Sequence, residues 1–297
     1  MINKFKGLGV ALVTPFQDNG NVDFAGLQHL VEHQINNGVD YLVVQGTTGE
    51  VATLTSEEKT AVLDFVIEIN KGRLPIVLGV GGNNTAVIVE TLKNLNTKNI
   101  DAILSVSPYY NKPSQEGIYQ HYKAISQASE LPIILYNVPG RTMSNMLPET
   151  TLRLAKDFNN IIAIKEASGN LEQVMNIIHN KPEGFLVISG DDALTLPIMS
   201  VGGDGLISVI SNALPKRTSD MIHFAQNKKF DQAREKHYEI FPMIQAIFED
   251  GNPAGVKFAL ELLNLCKENV RLPLVPVKKS TKEKIYKLMA NLDEKLV

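Results

Sequence analysis

Short apolar runs recur along the chain and alternate with segments of helical periodicity. Most of these runs are rich in valine and isoleucine and apolar at consecutive positions, as expected of strands buried on both faces in a parallel sheet. The eight runs are Leu8–Phe16, Tyr41–Gly46, Pro75–Val80, Ala102–Tyr110, Pro132–Val138, Ile161–Ala167, Phe185–Gly190 and Gly205–Val209. The pattern therefore predicts eight βα units.

Residues that cap helices precede several of the intervening segments. The predicted helix starts, each followed by apolar residues at helical spacing, are Asp23, Ser56, Asn84 or Thr85, and Ser114. Pro148 lies where the first turn of a further helix tolerates proline. Gly38 is suited to end the first helix, because glycine adopts the left-handed backbone without strain.

Eight βα units in about 225 residues describe a (β/α)8 TIM barrel of the α/β class. The alternative with the same alternation is an open, doubly wound sheet. Sheets of that kind bind dinucleotides through a glycine-rich loop after the first strand, and the stretch Ala11–Phe16 contains no glycine. The sequence therefore favours the closed barrel.

The strand-like runs stop near Lys229. Three later segments have helical spacing, and they are Phe230–Phe248, Pro253–Leu265 and Ser280–Leu296. Pro242 is placed to kink the first of them. We predict a catalytic barrel over residues 1–228 and a C-terminal helical extension over residues 229–297.

Composition narrows the class of protein. The chain has 297 residues, 44% hydrophobic and 21% charged, which is typical of a globular protein with a large core. Its net charge is −3 without a long basic run, so the sequence predicts neither a nucleic-acid partner nor an anionic membrane surface. Since no stretch suits a signal peptide or a membrane span, we expect a cytoplasmic protein. The one cysteine, Cys266, excludes a disulfide framework and a thiolate metal cluster.

One lysine stands out because it ends an apolar strand. The run Ile161–Ile164 leads directly into Lys165, and burial penalises the charged form of an amine. A neutral amine is a nucleophile toward carbonyl carbons, so Lys165 is a candidate for a Schiff base with a small keto acid. A lysine at a strand end can equally extend its ammonium to water, and Lys165 alone does not decide between the two.

The reacting groups of (β/α)8 enzymes lie at the carboxyl ends of the strands, so the other strand ends supply the remaining candidates. The turn Gly46–Gly49 can direct backbone N–H groups and threonine hydroxyls at a carboxylate, although a capped turn explains it too. Arg141 follows a Pro-Gly turn and suits either bidentate carboxylate binding or a surface ion pair. Tyr136 closes the fifth run, and Tyr109 and Tyr110 close the fourth.

Metal and histidine chemistry has less support. Asp191 and Asp192 follow the seventh run, but the other strand ends offer no matching His or Asp ligands, so a capped turn is the better interpretation. All six histidines fall in helical segments, which weakens zinc, Ser-His and His-base mechanisms. One lysine, tyrosines, threonines and an arginine remain, a set suited to imine chemistry with proton transfer by a phenol.

Five motifs at successive strand ends resemble one family. They are Gly46-Thr47-Thr48-Gly49-Glu50, Ser107-Pro108-Tyr109-Tyr110-Asn111-Lys112-Pro113, Tyr136-Asn137-Val138-Pro139-Gly140-Arg141-Thr142, Lys165-Glu166-Ala167-Ser168-Gly169 and Ser189-Gly190-Asp191-Asp192. In this order they are similar to the dihydrodipicolinate synthase family, within the N-acetylneuraminate lyase superfamily of pyruvate-dependent class I aldolases. Asn252-Pro253 and Arg271-Leu272-Pro273 extend the resemblance into the helical tail. The Arg141 motif points to the synthases rather than to the sialic acid lyases.

The resemblance implies a reaction. Lys165 forms a Schiff base with pyruvate, loss of a methyl proton gives an enamine, and the enamine attacks the aldehyde of L-aspartate 4-semialdehyde. The substrate amine then displaces Lys165 as the ring closes, giving a precursor of lysine and diaminopimelate. Because the protonated imine acts as the electron sink, we expect no metal and no cofactor.

The resemblance also implies a proton relay and an assembly. Tyr136 moves protons at the imine, and Thr47 links it to Tyr110 of a neighbouring subunit. A phenol of pKa about 10 can donate a proton at neutral pH and recover it through a chain of hydroxyls. The family suggests a homotetramer built as a dimer of dimers.

Four residues are implied in substrate binding by the same resemblance. Thr48 holds the pyruvate carboxylate, largely through backbone N–H groups. Arg141 receives the carboxylate of the semialdehyde. Gly190 and Ile207 contact the bound keto acid through backbone groups.

The family's lysine feedback site is altered in this chain. Many bacterial synthases bind lysine with polar or ionisable groups just after the Gly-Thr-Thr-Gly-Glu motif and on the third helix. The corresponding positions here are Val51, Lys59 and Val87, while Asn83 and Tyr109 remain. A cationic effector would lose an ion pair and meet a like charge, so we expect weak or absent inhibition by L-lysine.

Two other hypotheses stay open at the level of sequence. One is a pyruvate lyase or aldolase acting on a sugar acid such as N-acetylneuraminate or a 2-keto-3-deoxy acid, which would have little need for Arg141. The other is a catalytically silent barrel that only binds a keto acid. The presence of Lys165 together with both tyrosines argues against the silent barrel.

Overall fold

A closed barrel of parallel strands organises the computed structural model, which describes residues 2–292. Within those residues the sheet contains eight strands in sequence order, so every strand pairs with its neighbours along the chain. They are β1 (Gly7–Ala11), β2 (Tyr41–Val44), β3 (Ile76–Gly79), β4 (Ala102–Val106), β5 (Ile133–Asn137), β6 (Ile161–Glu166), β7 (Leu186–Ser189) and β8 (Gly205–Ser208). The predicted (β/α)8 barrel is confirmed, and the open doubly wound sheet is excluded.

Helices alternate with the strands and continue after the last one. Among residues 2–292 they are α1 (Phe24–Asn36), α2 (Ser56–Asn70), α3 (Thr85–Lys93), α4 (Gln115–Ala128), α5 (Pro139–Thr142), α6 (Pro148–Asp157), α7 (Leu171–Asn180), α8 (Thr195–Ser200), α9 (Pro215–Gln226), α10 (Phe230–Phe248), α11 (Ala254–Leu262) and α12 (Lys279–Asn291). All six histidines lie in these helices, as predicted. No helix of the described residues combines the length and the hydropathy that a membrane span requires.

The predicted helix starts are confirmed at atomic detail. The side chains of Asp23, Asn84 and Ser114 each accept a backbone N–H from the first turn of the helix that follows. The second helix begins at Ser56 as predicted, and the preceding Thr55 caps it by forming a reciprocal capping box with Glu58. Local side-chain chemistry therefore determines where these helices begin.

The strands end earlier than the apolar runs. The first run continues to Phe16, but β1 ends at Ala11 and Phe16 instead forms an isolated antiparallel bridge with Val22. The fourth run continues to Tyr110, but β4 ends at Val106, and Pro108 has no N–H to donate to a ladder. Phe16 is buried and Tyr110 is exposed, and neither belongs to a strand, so hydrophobicity alone overestimates strand length.

Contacts divide the chain into two compact units. Among the described residues, one comprises residues 2–6 and 75–207, and it contains β3 to β7 with α3 to α8. The other comprises residues 7–74 and 208–292, and it contains β1 and β2 with α1, α2 and α9 to α12. The predicted boundary between residues 228 and 229 falls between α9 and α10, which pack against each other, and it stays a prediction.

The three predicted C-terminal helices are present. The first has the predicted bounds and runs through Pro242 without interruption. The second is shorter than expected and spans Ala254–Leu262. The third begins at Lys279, and the predicted end at Leu296 lies outside the described residues.

One buried histidine makes the stability of the first unit dependent on pH. His121 on α4 is 4% exposed, and its Nδ1 lies 2.8 Å from Thr85 Oγ1. Its Nε2 has no hydrogen-bond partner among residues 2–292. Burial disfavours the imidazolium and lowers the pKa of His121 to about 4.

Because the folded-state pKa of His121 is depressed, its contribution to stability is complete above about pH 6.5 and is lost as the pH falls toward 4. We expect this residue to steepen the fall of the unfolding free energy by on the order of 1 kcal/mol per pH unit in that window. Denaturant titrations from pH 7 to pH 4.5 check the effect. His121→Gln should flatten the slope, whereas His29→Gln, which alters an exposed histidine, should not. Equal slopes for both variants would contradict the assignment.

Candidate active site

Lys165 is a buried amine, and no residue of the described chain forms an ion pair with it. It is the penultimate residue of β6 and is 6% exposed. Among residues 2–292, its Nζ makes no hydrogen bond and no ion pair, and it lies 4.3 Å from the centroid of the Tyr136 ring. The Lys165 amine is therefore buried and is not occupied by a hydrogen bond or an ion pair from the described residues.

Register explains why Lys165 meets Tyr136. The two residues are direct partners in the parallel pairing of β5 with β6, so their side chains emerge on the same face. Tyr136 is 6% exposed, and its hydroxyl has no hydrogen-bond partner among the described residues. The structure therefore brings together a phenol and an amine that are both free to interact with a ligand.

Gly190 leaves room for the lysine side chain. It follows β7, and its backbone N–H donates to Glu166 O at 2.8 Å. A β-carbon at this position would lie 2.8 Å from Ala167 Cβ and 3.0 Å from Lys165 Cε, closer than side chains tolerate. Ile207, in β8, has a fully buried side chain.

Arg141 lies at the surface, and its guanidinium is unpaired within residues 2–292. It belongs to the four-residue helix α5, which starts at Pro139 and is followed by Met143 with a left-handed φ of 55°. Its guanidinium makes no hydrogen bond or ion pair with the described residues, so the predicted alternative of a surface ion pair does not occur among them. An unpaired, exposed guanidinium on an ordered turn is available to a carboxylate ligand.

Tyr110 is the most exposed large apolar residue of the described chain, at 89%, and has a left-handed φ of 71°. Neighbouring contacts hold this backbone in place: Asn83 Nδ2 donates to Tyr109 O, and Asn111 Nδ2 donates to Asn83 O. Within residues 2–292 the Tyr110 ring makes no hydrogen bond and no ring contact, so the single chain does not place it beside Lys165 or Tyr136.

The second unit contains the Gly46–Glu50 turn. Residues Thr47–Gly49 form a 3₁₀ turn after β2, with Thr47 exposed and Thr48 3% exposed. The Thr48 hydroxyl accepts a hydrogen bond from Asn252 Nδ2 at 3.0 Å. Gly49 packs against the backbone of Leu12, where a β-carbon would lie 3.2 Å from the carbonyl oxygen.

Glu50 ties this turn to the C-terminal helices, a feature that the sequence analysis missed. Glu50 is 4% exposed and has a left-handed φ of 52°. Its carboxylate pairs with the fully buried Lys257 of α11 at 2.5 Å and accepts the Arg271 backbone N–H at 2.9 Å. Burial lowers the pKa of the Lys257 ammonium, and the adjacent Glu50 opposes that fall. The only sequence signal was a lysine inside the apolar segment of α11.

Arg271 completes the attachment of the tail within the same unit. Its guanidinium binds the Glu58 carboxylate through two hydrogen bonds, and it lies 4.3 Å from the Phe16 ring centroid. Lys257 Nζ lies 4.1 Å from the same centroid. The Arg271 guanidinium lowers the pKa of Glu58 to about 2. The contacts of Lys257 and Arg271 with the Phe16 ring therefore help to attach the C-terminal segment beside the Gly46–Glu50 turn.

The remaining sequence candidates have structural roles. Asp191 accepts the backbone N–H groups of Ala193 and Leu194, which confirms the capped turn. Within residues 2–292, no group of three or more His, Cys, Asp or Glu residues is arranged to hold a metal ion. Burial raises the pKa of the Cys266 thiol to about 12, so Cys266 remains a protonated packing residue.

The closed barrel places this chain among the (β/α)8 proteins, and its relatives place it among the lyases of that class. The model of the dihydrodipicolinate synthetase family matches residues 4–292, and the chain belongs to that family. It is similar to the 4-hydroxy-tetrahydrodipicolinate synthase of Parabacteroides distasonis, with 54% identity over 290 residues and 98% of each chain covered.

Solved structures agree with this assignment. The dihydrodipicolinate synthase of Acinetobacter baumannii, described as chloride-inhibited and complexed with pyruvate, matches with a TM-score of 0.94 and 40% identity over 97% of this chain and 99% of that chain. The lysine-bound enzyme of Cyanidioschyzon merolae matches with a TM-score of 0.93 and 39% identity over 98% of this chain and 99% of that chain.

We expect Lys257→Met to destabilise the protein by about 3–5 kcal/mol, because the Glu50 carboxylate would stay buried without its cation. Urea unfolding followed by circular dichroism measures the change. Adding Glu50→Gln should recover much of the loss. Lys216→Met removes an exposed pair with Asp220 and should cost at most about 1 kcal/mol. Equal losses of unfolding free energy in the two lysine variants would show that the buried pair stabilises the protein no more than the exposed pair does.

Proposed function

We propose that this chain is a 4-hydroxy-tetrahydrodipicolinate synthase that condenses pyruvate with L-aspartate 4-semialdehyde through a Schiff base on Lys165. The observation that carries the proposal is the buried Lys165 amine, unpaired among residues 2–292 and placed over the Tyr136 ring. The family assignment and the relatives named synthase support the same reaction. Its product would serve lysine and diaminopimelate biosynthesis.

The chemistry follows from a free amine. Lys165 Nζ attacks the keto carbon of pyruvate, and water leaves as the imine forms. The protonated imine withdraws electrons from the adjacent methyl group, so a proton is lost and an enamine results. The enamine carbon bonds to the aldehyde carbon of the second substrate. The substrate amine then replaces Lys165 at the former keto carbon, which regenerates the free lysine.

Protons would move through phenols and hydroxyls. Tyr136 is next to the Lys165 amine, and its hydroxyl is unpartnered among the described residues, so it is the first donor and acceptor at the imine. Thr47 would connect it to Tyr110 of a neighbouring subunit. The exposure of Thr47 and the 89% exposure of Tyr110 in the single chain leave both hydroxyls accessible to such partners.

Two carboxylates need two different binding groups. The pyruvate carboxylate would bind the Thr48 turn, whose hydroxyl is oriented by Asn252, and the keto acid would contact Gly190 and Ile207 through backbone groups. The semialdehyde carboxylate would bind Arg141, whose guanidinium lacks a partner among residues 2–292. A sugar-acid lyase has less use for such an arginine.

A homotetramer built from two dimers is part of the proposal. Tyr110 combines a left-handed backbone with an exposed ring, an arrangement that gains stability only when another surface covers the ring. The cytoplasmic location predicted from the sequence stays a prediction.

Borohydride reduction in the presence of pyruvate tests the central step. We expect a stable adduct on Lys165 in peptide mass mapping, lost in Lys165→Met, and consumption of aspartate 4-semialdehyde in a coupled assay. An unmodified Lys165 would defeat the Schiff-base mechanism. An adduct combined with turnover of N-acetylneuraminate, but not of the semialdehyde, would favour the sugar-acid lyase, and an adduct with neither turnover would favour the silent barrel.

Two glycine-to-alanine variants test whether adduct formation depends on the space beside Lys165. Gly190→Ala should reduce adduct formation at least about tenfold, because its β-carbon would displace the lysine side chain. Gly140→Ala adds the same methyl group where no atom lies within 4 Å, and it should leave trapping unchanged.

We further propose that L-lysine inhibits this enzyme weakly or not at all. Val87 on α3 is 56% exposed, so this position presents methyl groups to solvent. A carboxylate at the same position could bind the ammonium of L-lysine, and valine cannot. Val51 and Lys59, both half-buried, add no negative charge. A lysine-bound relative shows that this ligand binds to a member of the family. The residues at these three positions therefore bear on whether L-lysine also inhibits this chain.

Steady-state assays should show full activity at submillimolar L-lysine. Val87→Glu should introduce measurable inhibition, because it supplies the missing negative charge. Gln127→Glu, which adds the same charge at an exposed position on α4, should not. Half-inhibition of the unmodified enzyme at submillimolar lysine would refute the proposal.

A further inference from the structure

A second polar layer lies behind the reacting face of the barrel. Side chains alternate along a strand, so Tyr136 and Lys165 share one face while Asn137 and Glu166, the next paired residues, share the other. Both residues of the second pair are at most 1% exposed. The residue after the amine is therefore a buried carboxylate, and no step of the proposed reaction uses it.

Glu166 is satisfied entirely by neutral donors. Its Oε2 accepts Asn137 Nδ2 at 3.0 Å and Gln173 Nε2 at 2.9 Å, and its Oε1 accepts the Ser168 backbone N–H at 2.6 Å. No lysine, arginine or histidine of residues 2–292 forms an ion pair with it. Burying a carboxylate without a cation costs free energy, so we expect one only where both of its oxygens must accept hydrogen bonds. A glutamine side chain has a single acceptor oxygen.

The network continues into the chain segment that carries Arg141. Asn137 Oδ1 accepts the Met146 backbone N–H at 2.9 Å, and Asn137 Nδ2 also donates to Asn145 Oδ1 at 2.8 Å. Asn145 Nδ2 in turn donates to Gln173 Oε1 at 2.8 Å. By accepting from Asn137 and Gln173 together, Glu166 determines how both amides are oriented toward the segment.

Arg141 lies between two attachments of this segment. At one end the segment leaves β5 at Asn137, and at the other it is held at Asn145 and Met146. Between these points are the short helix α5 and the left-handed Met143. The exposed guanidinium makes no hydrogen bond or ion pair with the described residues, so its location depends on the backbone that these attachments hold.

We propose that Glu166 is a positioning residue for the second substrate: it fixes the Pro139–Leu147 segment and thereby the place where Arg141 meets a carboxylate. The proposal deepens the proposed function and rests on it for the identity of that carboxylate. Glu166 touches no reacting atom. Lys165 is held separately, because β6 pairs with both β5 and β7.

Hydrogen exchange measured by mass spectrometry tests the positioning without reference to activity. Glu166→Gln should increase deuterium uptake in peptides covering residues 139–147, because the Ser168 N–H would face an amide N–H or the Asn137 and Gln173 amides would lose an acceptor. Glu172→Gln makes the same chemical change at an exposed position on α7 and should leave uptake unchanged. Unchanged uptake in Glu166→Gln would overturn the proposal whatever the enzyme catalyses.

Kinetics then test the link to Arg141. Glu166→Gln should raise the KM for aspartate 4-semialdehyde on the order of tenfold and leave the KM for pyruvate and the borohydride adduct within about twofold. Arg141→Ala should raise the same KM, and adding Glu166→Gln to it should have little further effect. Additive losses, or an equal loss for pyruvate, would show a merely structural role.

A second variant keeps the test decisive if Glu166→Gln does not fold. Asn145→Ala removes the half-buried link between the network and the segment, and it should reproduce the selective rise in KM and the increased exchange. Failure of the unmodified enzyme to form an adduct or to consume the semialdehyde would reject the proposed function, and the exchange result would still decide the positioning role.

Discussion

The proposed site depends on one feature: the Lys165 amine is buried and has no ion pair among residues 2–292. The same chain contains a second buried lysine for comparison. Lys257 is fully buried but paired with Glu50, and it also donates to Asn269 O at 2.7 Å. Lys165 Nζ lies over the Tyr136 ring and makes no hydrogen bond or ion pair among the described residues. The ion pair gives Lys257 a structural role, whereas no hydrogen bond or ion pair from residues 2–292 occupies the Lys165 amine.

Strand pairing explains how this arrangement is built. Parallel register puts Lys165 beside Tyr136 on one face and Glu166 beside Asn137 on the other. A single pair of strands therefore supports two polar layers with different tasks. One layer is open to ligands because its amine and phenol are unpartnered among residues 2–292. The other is closed, because donors occupy both oxygens of its carboxylate.

The segments after the strands show the opposite behaviour. Arg141 and Tyr110 are exposed, and each lies on or beside a left-handed backbone held by hydrogen bonds from neighbouring residues. A left-handed backbone at a residue other than glycine is strained and lowers the stability of the fold. A side chain attached to such an ordered backbone loses less conformational entropy when it binds a ligand.

Sequence by itself determined the number and order of the strands, the helix caps and the strand-end residues, since these depend on local periodicity and local hydrogen bonding. Residues such as Lys165, Tyr136 and Arg141 could be singled out because each follows an apolar run. Their interpretation from the residues alone remained open. A snorkelling lysine and a surface ion pair at Arg141 were both compatible with the sequence, because periodicity does not report partners.

Only the tertiary structure decided those questions. It showed that Lys165 is buried without an ion pair among residues 2–292, that Gly190 is needed to admit its side chain, and that Glu50 is joined to Lys257 across 207 positions of sequence. It also revealed Glu166 as the centre of a network reaching Asn145. Charge compensation and steric fit depend on residues distant in the chain, so no local pattern encodes them. Lys165 could be singled out in the sequence, but its burial and the residues around it are set by the barrel, because they depend on side chains from other strands.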